Sequence, residues 1–157
     1  DIEMPRVRVV VHPQSVIHSM VEFVDGSIIA QLSAPDMCLP IQYALTYPKR
    51  AASNRVQTSL TEVGRLDFEE PDTDRFPALN LARRAGEVGG TMPAVLNASN
   101  EIAVQAFCDH QISFTDIWET VSRVMEAHEF IEQPTLEQIL AADSWARESA
   151  KGSVPVA

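Results

Sequence analysis

The stretch from Val16 to Leu32 constrains the fold more than any other part of the sequence. Residues 16–24 alternate between two sets of side chains, the pattern of a β-strand with two different faces. The alternation assigns one face to Val16, His18, Met20, Glu22 and Val24, and the other to Ile17, Ser19, Val21 and Phe23. Asp25-Gly26 then supplies the two positive-φ positions of a type I′ turn, and SIIAQL resumes the strand pattern. The sequence therefore predicts a β-hairpin with a two-residue turn.

Further elements are predicted on either side of this hairpin. The β-branched run VRVVV at residues 7–11 predicts a buried strand, which Pro13 interrupts because proline cannot donate to a ladder. Pro40 favours the start of a short helix, PIQYALTY, and Pro48 ends it. RLDFEE, from Arg65, predicts one more short strand.

Beyond Pro71 the pattern changes to helices. RFPALNLARRAGEVGG predicts a helix that stops at Gly89 and Gly90, and NASNEIAVQAFCDHQ predicts a second. Thr115 or Asp116 caps a third, and a capping box of Thr135 and Gln138 opens a fourth. The predicted apolar stripes of the last three helices are Ala98, Ile102 and Ala106 or Phe107; Ile117, Val121, Val124 and Met125; and Leu136, Ile139, Leu140 and Ala146.

These elements together predict an α+β fold in two parts. Residues 1–71 form a β-hairpin or sheet segment with a short helix, and residues 72–157 form a C-terminal bundle of about four helices. Short links between the helices favour antiparallel neighbours.

Charge excludes two classes of partner. The net charge is −10, from 12 Lys and Arg against 22 Asp and Glu. A nucleic-acid binder needs clustered basic residues, and so does a protein attracted to an anionic membrane surface. Neither partner is expected. The two cysteines, Cys38 and Cys108, are too sparse for a disulfide scaffold and fit a reducing compartment.

Three motifs invite a chemical interpretation that the sequence does not support. His12 and His18 are six residues apart, which spans ~20 Å in a continuous strand, too far for two ligands of one metal ion, and only a bend at Pro13 would bring them closer. The acidic run 69–74 lacks the glycine and spacing of a calcium loop, and carboxylates there suit the start of a helix at Arg75. Cys108, in a helix, is predicted to be a buried small hydrophobe.

Neither a nucleotide loop nor a nucleophile elbow is found. GEVGG follows a helix, whereas a phosphate loop needs a strand before it, and no serine sits in Gly-x-Ser-x-Gly. Two features remain open from the residues alone. His18 either lines a pocket or is a core histidine, and Pro35 and Met37 either pack on a flat ligand or belong to a plain turn.

Three segments carry a resemblance to a known family. VVVHPQSVIHSMVEFVDGSIIAQL, PDMCLPIQYALTYPKR and LNASNEIAVQAF closely resemble the 1-deoxy-D-xylulose 5-phosphate reductoisomerases of non-mevalonate isoprenoid biosynthesis. The resemblance implies an enzyme that rearranges its phosphosugar substrate and reduces the product with NADPH, using Mg or Mn. It also implies a homodimer in a bacterial cytoplasm or a plastid. The chain looks like the end of the central catalytic domain, to about Pro71, followed by the helical domain.

The resemblance carries over few functional residues. The family's cofactor loop, metal ligands and phosphate-binding cluster match nothing in this sequence, so no catalytic or metal-binding residue is expected here. His18, Pro35 and Met37 match family positions near the nicotinamide and substrate, as pocket walls. Cys38 stands where arginine is more usual and Ser33 where glycine is common, so an ionic contact or tight turn there is not expected to carry over.

Rival hypotheses follow from this pattern. The first is a part of the reductoisomerase that is inert by itself, and the absence of an initial methionine is consistent with a fragment. The second is a stand-alone dimerisation or interaction module without catalysis. A third is a small pocket protein that uses His18 and Met37 for another ligand.

Overall fold

A computed structural model describes residues 2–52, 54 and 57–153. These residues fall into two compact units, one made of residues 9–71 and one in which residues 72–153 are joined by residues 2–8. We call them the hairpin unit and the helical unit. The elements, after a 3₁₀ turn at Met4–Arg6, are β1 (Ile17–Glu22), β2 (Ile28–Leu32), α1 (Cys38–Thr46), α2 (Leu60–Val63), α3 (Ala78–Val88), α4 (Met92–Cys108), α5 (Asp116–Ala127) and α6 (Leu136–Ser153). The predicted α+β class is confirmed.

The hairpin is confirmed, but its turn differs from the prediction. β1 and β2 pair antiparallel, and Phe23 and Ser27 close a three-residue loop through the Phe23 N to Ser27 O bond of 2.9 Å. Gly26 takes a positive φ of 83° and Asp25 does not, so the turn is not type I′. Asp25 acts through its side chain, accepting hydrogen bonds from the Ser27 hydroxyl and amide, and these bonds lower the pKa of Asp25.

A register shift in β1 breaks the predicted alternation. Ile17 pairs with Leu32 and Ser19 pairs with Gln31, so His18 is an extra residue, a β-bulge, without a partner across the ladder. Leu32 and Gln31 are adjacent and face opposite sides of the sheet, and directly paired residues share a side. Ile17 and Ser19 therefore lie on opposite faces, whereas the sequence had assigned them to one.

The predicted strands at residues 7–11 and from Arg65 are wrong. Residues 7–11 are exposed, and the two segments meet only in an isolated bridge between Val11 and Glu69. The β-branched residues favour an extended backbone, but a strand also needs a neighbour to pair with along its length. In the described part of the hairpin unit, these segments have a pairing neighbour only at the bridge between Val11 and Glu69.

The short helix begins before Pro40 and ends as predicted. α1 starts at Cys38 and stops at Thr46, two residues before Pro48. α3 starts at Ala78, later than the predicted start at Arg75. The Arg75 amide instead donates to the Asp72 carboxylate at 2.9 Å in the preceding turn.

The helical unit is organised around α4. This helix contacts α3, α5 and α6, and Val95, Ala98 and Ala103 on it are completely buried. It starts five residues earlier than the predicted Asn97, with Pro93 in its first turn. The stripe on α5 is confirmed, since Val121, Val124 and Met125 are buried and Ile117 half-buried.

The stripe on α6 is partly wrong. Leu136 and Leu140 are 65% and 58% exposed, while Ala142, Ala146 and Ala150 are buried against the rest of the unit. Ala142 is two residues after Leu140, about 200° around the helix, so the two cannot share a face. The small alanine side chains allow α6 to pack against α4. Because α6 turns its alanine face toward α4, the larger leucines on its other side are left exposed.

Polar contacts fix the ends and the crossing of these helices. The predicted capping box is confirmed, because Gln138 accepts from the Thr135 amide at 2.8 Å and Thr135 Oγ1 accepts from the Gln138 amide at 3.3 Å. Arg147 of α6 donates to Glu101 of α4 at 2.8 Å and to Asp143 of its own helix. The bond from Arg147 lowers the pKa of Glu101.

The turn between α3 and α4 is clamped by the segment after α5. Thr91 is fully buried; its amide donates to Ile131 O at 3.1 Å, and its hydroxyl oxygen accepts from Ile131 N at 3.2 Å. The hydroxyl also lies 2.8 Å from Nε2 of His128, whose ring packs on Trp145 at 5.2 Å between ring centroids. We call these contacts the Thr91 clamp.

Replacing Gly90 by alanine should destabilise the helical unit. A Cβ there would clash with Ile131 O, and the positive φ of 51° strains any side chain. Overpacking and backbone strain together predict a loss of about 2–4 kcal/mol in the free energy of unfolding, measured by urea denaturation. The control is Gly152→Ala, where a Cβ meets no atom within 4 Å. Equal stability of the two variants would contradict the clamp.

Stability should fall as the pH drops through the range where His128 titrates. Burial lowers the pKa of His128, opposed by the nearby Glu129 carboxylate. The folded state therefore favours the neutral ring, and its contribution is full above the unfolded pKa near ~6.5 and is lost below it. Urea denaturation at pH 5 and pH 7.5 should show a smaller difference in the His128→Gln variant than in the unchanged chain. The same difference in both proteins would show that His128 is not responsible.

Candidate functional site

The hairpin unit is closed by contacts between its two ends. Val11 and Glu69 exchange two backbone hydrogen bonds of 2.9 Å each. Next to this bridge, Nδ1 of His12 donates to Asp67 O at 2.8 Å, and the Asp67 amide donates to Gln14 Oε1 at 3.1 Å. These bonds fix the chain at its approach to β1. They also give His12 a structural partner 55 residues away in the sequence.

His18 is the bulged residue of β1, and its side chain is exposed. Bulges re-aim a side chain relative to the regular pleat, and they are frequent beside active sites. Within the described residues, His18 belongs to no group of three or more His, Cys, Asp or Glu that could hold a metal ion. It is therefore not the core histidine that the residues alone had left open.

Pro35 and Met37 lie in the loop between β2 and α1, and both are exposed. Asp36 between them accepts a hydrogen bond from the Cys38 amide at 2.8 Å, which satisfies one free donor at the start of α1. The Ala34 amide donates to Thr58 Oγ1 at 2.8 Å and anchors the other end of the loop. The loop is thus held at both ends while Met37 remains 70% exposed.

The register relates the three candidate residues. Ile17, just before the bulge, pairs with Leu32, the last residue of β2, and the loop to Met37 follows directly. His18, Pro35 and Met37 therefore belong to the open end of the hairpin, opposite its turn. An imidazole, a proline ring and a thioether can contact a flat or apolar ligand, but none of them supplies a hydride.

The two departures noted in the sequence lie at the same end. Ser33 is only 7% exposed, and its hydroxyl accepts from the Gln31 side chain at 3.3 Å. Its amide donates to Val16 O at 3.0 Å, which extends the ladder beyond β2. Cys38 is the first residue of α1 and is half-buried.

The surroundings of Gly90 do not fit a nucleotide phosphate. A phosphate-binding loop needs open space beside its glycine. At Gly90 this space is occupied, because Ile131 O and the Phe130 ring both lie within 3 Å of the position that a Cβ would take. Residues 2–52, 54 and 57–153 also contain no group of three or more His, Cys, Asp or Glu that could hold a metal ion. We therefore assign no metal or cofactor chemistry to these side chains.

Cys108 is exposed, and the prediction of a buried thiol is wrong. It is the last residue of α4 and lies two positions after the buried Ala106, about 200° around the helix. The helix turns its thiol away from the core.

Comparison with known proteins gives one consistent result. A family model described as the DXP reductoisomerase C-terminal domain matches residues 32–149. A 1-deoxy-D-xylulose 5-phosphate reductoisomerase of Chlorobium phaeobacteroides is 54% identical over 98% of this chain and 40% of its own length. The reductoisomerase of Zymomonas mobilis in complex with NADPH superposes with a TM-score of 0.83, at 46% identity, over 94% of this chain and 39% of its own.

A further solved structure contains more ligands. A DOX-P reductoisomerase in complex with NADPH, fosmidomycin and magnesium superposes with a TM-score of 0.81, at 42% identity, over 91% of this chain and 37% of its own. The chain thus spans between 37% and 40% of the length of these three relatives. In the part of the chain that the structure describes, every helix is too short or too polar to cross a bilayer.

The bulge is the feature of this site that sequence reasoning missed. Strict alternation through Val16 to Val24 gave no sign of it, because apolar residues occupy both faces of β1. The one available signal was His18 itself, a polar residue that the alternation placed on the same face as Val16 and Met20. The order Asp36-Met37-Cys38 also held a recognisable helix start, with an aspartate two residues before the first helical amide.

The two thiols should react at different rates with an aromatic disulfide reagent. Cys108 is exposed and Cys38 is half-buried in the first turn of α1, so we expect one fast and one slow phase in the native protein. Cys108→Ser should remove the fast phase and Cys38→Ser the slow one. Loss of the slow phase in Cys108→Ser would contradict the exposed position of Cys108.

Proposed function

The chain belongs to the 1-deoxy-D-xylulose 5-phosphate reductoisomerase family, and from that premise we propose that it forms part of such an enzyme. The reaction is the rearrangement of 1-deoxy-D-xylulose 5-phosphate and its reduction by NADPH to 2-C-methyl-D-erythritol 4-phosphate, a step of non-mevalonate isoprenoid biosynthesis. The observation that carries the proposal is the match to the C-terminal domain of the family over residues 32–149.

Each part of the chain has a place in this proposal. Residues 1–71 are the end of the central catalytic domain, and residues 72–157 are the helical domain. His18, Pro35 and Met37 form a wall of the pocket beside the nicotinamide and the substrate. Support comes from their exposure and from their common place at the open end of the hairpin.

NADPH and a divalent metal, Mg or Mn, are held by residues outside this chain. When bound, NADPH supplies the hydride and the metal polarises the substrate oxygens. Among the described residues there is no group of three or more His, Cys, Asp or Glu that could hold a metal ion, and the space around Gly90 is filled by Ile131 and Phe130. In this proposal the chain shapes the pocket and excludes water from one side of it, and it is inert by itself.

A homodimer formed through the hairpin is part of the proposal. Val21 and Ile29 are directly paired across β1 and β2 and are 58% and 64% exposed. Ile28 and Met20, on the opposite face, are 58% and 40% exposed. Apolar side chains exposed on both faces of a two-stranded sheet are the kind of surface that a partner covers. We place the enzyme in the cytoplasm of a bacterium or in a plastid.

A chimeric enzyme tests the proposal. In it, this chain replaces the matched portion of the Chlorobium phaeobacteroides reductoisomerase, and NADPH oxidation is followed with 1-deoxy-D-xylulose 5-phosphate. We expect turnover by the chimera and none by the isolated chain. A folded chimera without turnover, or turnover by the isolated chain, would contradict the proposal. Dimers of the isolated chain together with an inactive chimera would favour the interaction module.

Substitutions in the active chimera test the pocket wall. Met37→Ala and His18→Ala should each lower kcat/KM by roughly tenfold, the effect of losing about 1.4 kcal/mol of transition-state contact. Leu136→Ala is the matched control, an exposed residue of α6 that should leave kcat/KM unchanged. Equal values for all three variants would exclude His18 and Met37 from the pocket.

A further inference from the structure

The segment that precedes the hairpin unit is attached to α3. Residues 2–8 belong to the helical unit, and the 3₁₀ turn Met4–Arg6 contacts α3. Backbone hydrogen bonds of 2.9 Å to Glu3 O and Met4 O close this turn. Among residues 2–10 only Met4 is half-buried, and the others are exposed. Met4 is therefore the side chain through which the segment is held.

Met4 lies over Gly86 of α3. A Cβ added at Gly86 would lie 2.6 Å from Sδ and 2.9 Å from Cγ of Met4, so the methionine occupies the place of a side chain. Gly86 is inside α3 and does not have a positive φ, and a glycine at such a position destabilises a helix relative to alanine. The backbone of α3 thus gives no reason for a glycine here. The close approach of Met4 gives one.

The chain passes between the two units twice. It leaves the helical unit after Arg8 and returns to it at Asp72. The hairpin unit joins the two crossings, because Val11 and Glu69 exchange two backbone hydrogen bonds of 2.9 Å. Val11 is three residues after Arg8, and Glu69 is three residues before Asp72. Both crossings are therefore held together where they leave the hairpin unit.

Both crossings also end on α3. The return crossing continues covalently to the start of α3 at Ala78, and the first crossing is held at Gly86 through Met4. Eight residues of helix separate these two points, which is about 12 Å at 1.5 Å per residue. A single link leaves two bodies free to rotate, whereas two links at this separation restrain the rotation. Of the two attachments, the contact of Met4 is the one that opens without breaking a covalent bond.

We propose that residues 2–8 are a strap with a seated and a released position, and that the strap sets the freedom of rotation between the hairpin unit and the helical unit. When the strap is seated, Met4 lies over Gly86 and the chain is attached to α3 at two points. When Met4 leaves, the attachment to α3 depends on the stretch from Glu69 to Ala78 alone. Methionine suits a reversible contact, because its unbranched side chain adapts to irregular gaps without a strong hydrogen bond.

Spin-label distance measurements in the full chain test the strap. One label is attached to Cys108, which is exposed in the helical unit, and the other to position 24 in the hairpin turn after Val24→Cys, an exposed site. Cys38→Ser removes the remaining thiol, and dilution with unlabelled chain leaves only distances within one chain. We expect a narrow distribution of distances that broadens after Met4→Ala. An equal width with and without Met4 would overturn the proposal.

A leucine at position 86 releases the strap by a second route. In Gly86→Leu the new side chain takes the place of Met4, and α3 gains a better helix former, so the helix itself is retained. The distribution should broaden as in Met4→Ala, and the double variant should broaden no further. Gly152→Leu is the matched control, because a Cβ at Gly152 in α6 meets no atom within 4 Å. Broadening in the control, or none in Gly86→Leu, would contradict the seat at Gly86.

Trypsin separates release of the strap from unfolding of the helical unit. Arg6 lies in the strap, whereas Arg123 lies in α5, where cleavage requires the helix to open. Cleavage follows the population of the open segment, so the loss of a half-buried methionine contact in Met4→Ala should speed cleavage after Arg6 roughly tenfold. The rate after Arg123 should stay unchanged. Equal acceleration at both sites would show that Met4 stabilises the whole unit, and no acceleration would show that it does not hold the strap; either result overturns the proposal.

Discussion

The burial of α4 is the constraint on which the helical unit depends. Three helices pack against it, and its own side chains at Val95, Ala98 and Ala103 are completely withdrawn from water. Alanines on α6 pack in the same core cluster, and Arg147 adds an ion pair between α6 and Glu101 of α4. The start of α4 is fixed in turn by the Thr91 clamp, where buried hydrogen bonds replace the water that Thr91 has lost. The unit is therefore held by its own side chains.

The hairpin unit, in contrast, buries few of its apolar side chains. Its ends are joined by backbone and polar bonds at Val11, His12 and Asp67, while its strands and α1 direct apolar side chains outward. Val16 is the only large apolar residue in the described part of this unit that is fully buried. Hydrophobic burial is the dominant favourable term in folding, and here most of that surface is available to other parts of an assembly. This exposure supports the proposed homodimer contact through the hairpin.

Local patterns predicted the elements well, and tertiary context decided where the prediction failed. The hairpin, the stop of α3 at Gly89 and the capping box at Thr135 each depend on a few adjacent residues, and each is confirmed. Which face of α6 is buried depends on its packing against α4. The spacing of leucines in the sequence contains no information about that packing. The bulge at His18 depends on the partner strand, because only the pairing of Ile17 and Ser19 with adjacent residues of β2 reveals it. The roles of His18, Pro35 and Met37 came from resemblance, and periodicity alone had left them open.

The β-bulge at His18 and the start of α1 lie at the same end of the hairpin. The orientation of His18 is set by the β-bulge in the hairpin. Met37 is the N-cap of α1, a helix without charged residues. The loop between them is fixed at Ala34 by Thr58 and at Cys38 by Asp36. In the proposed function, one residue of the pocket wall is therefore positioned by the ladder of the hairpin, and the other by the fixed start of α1.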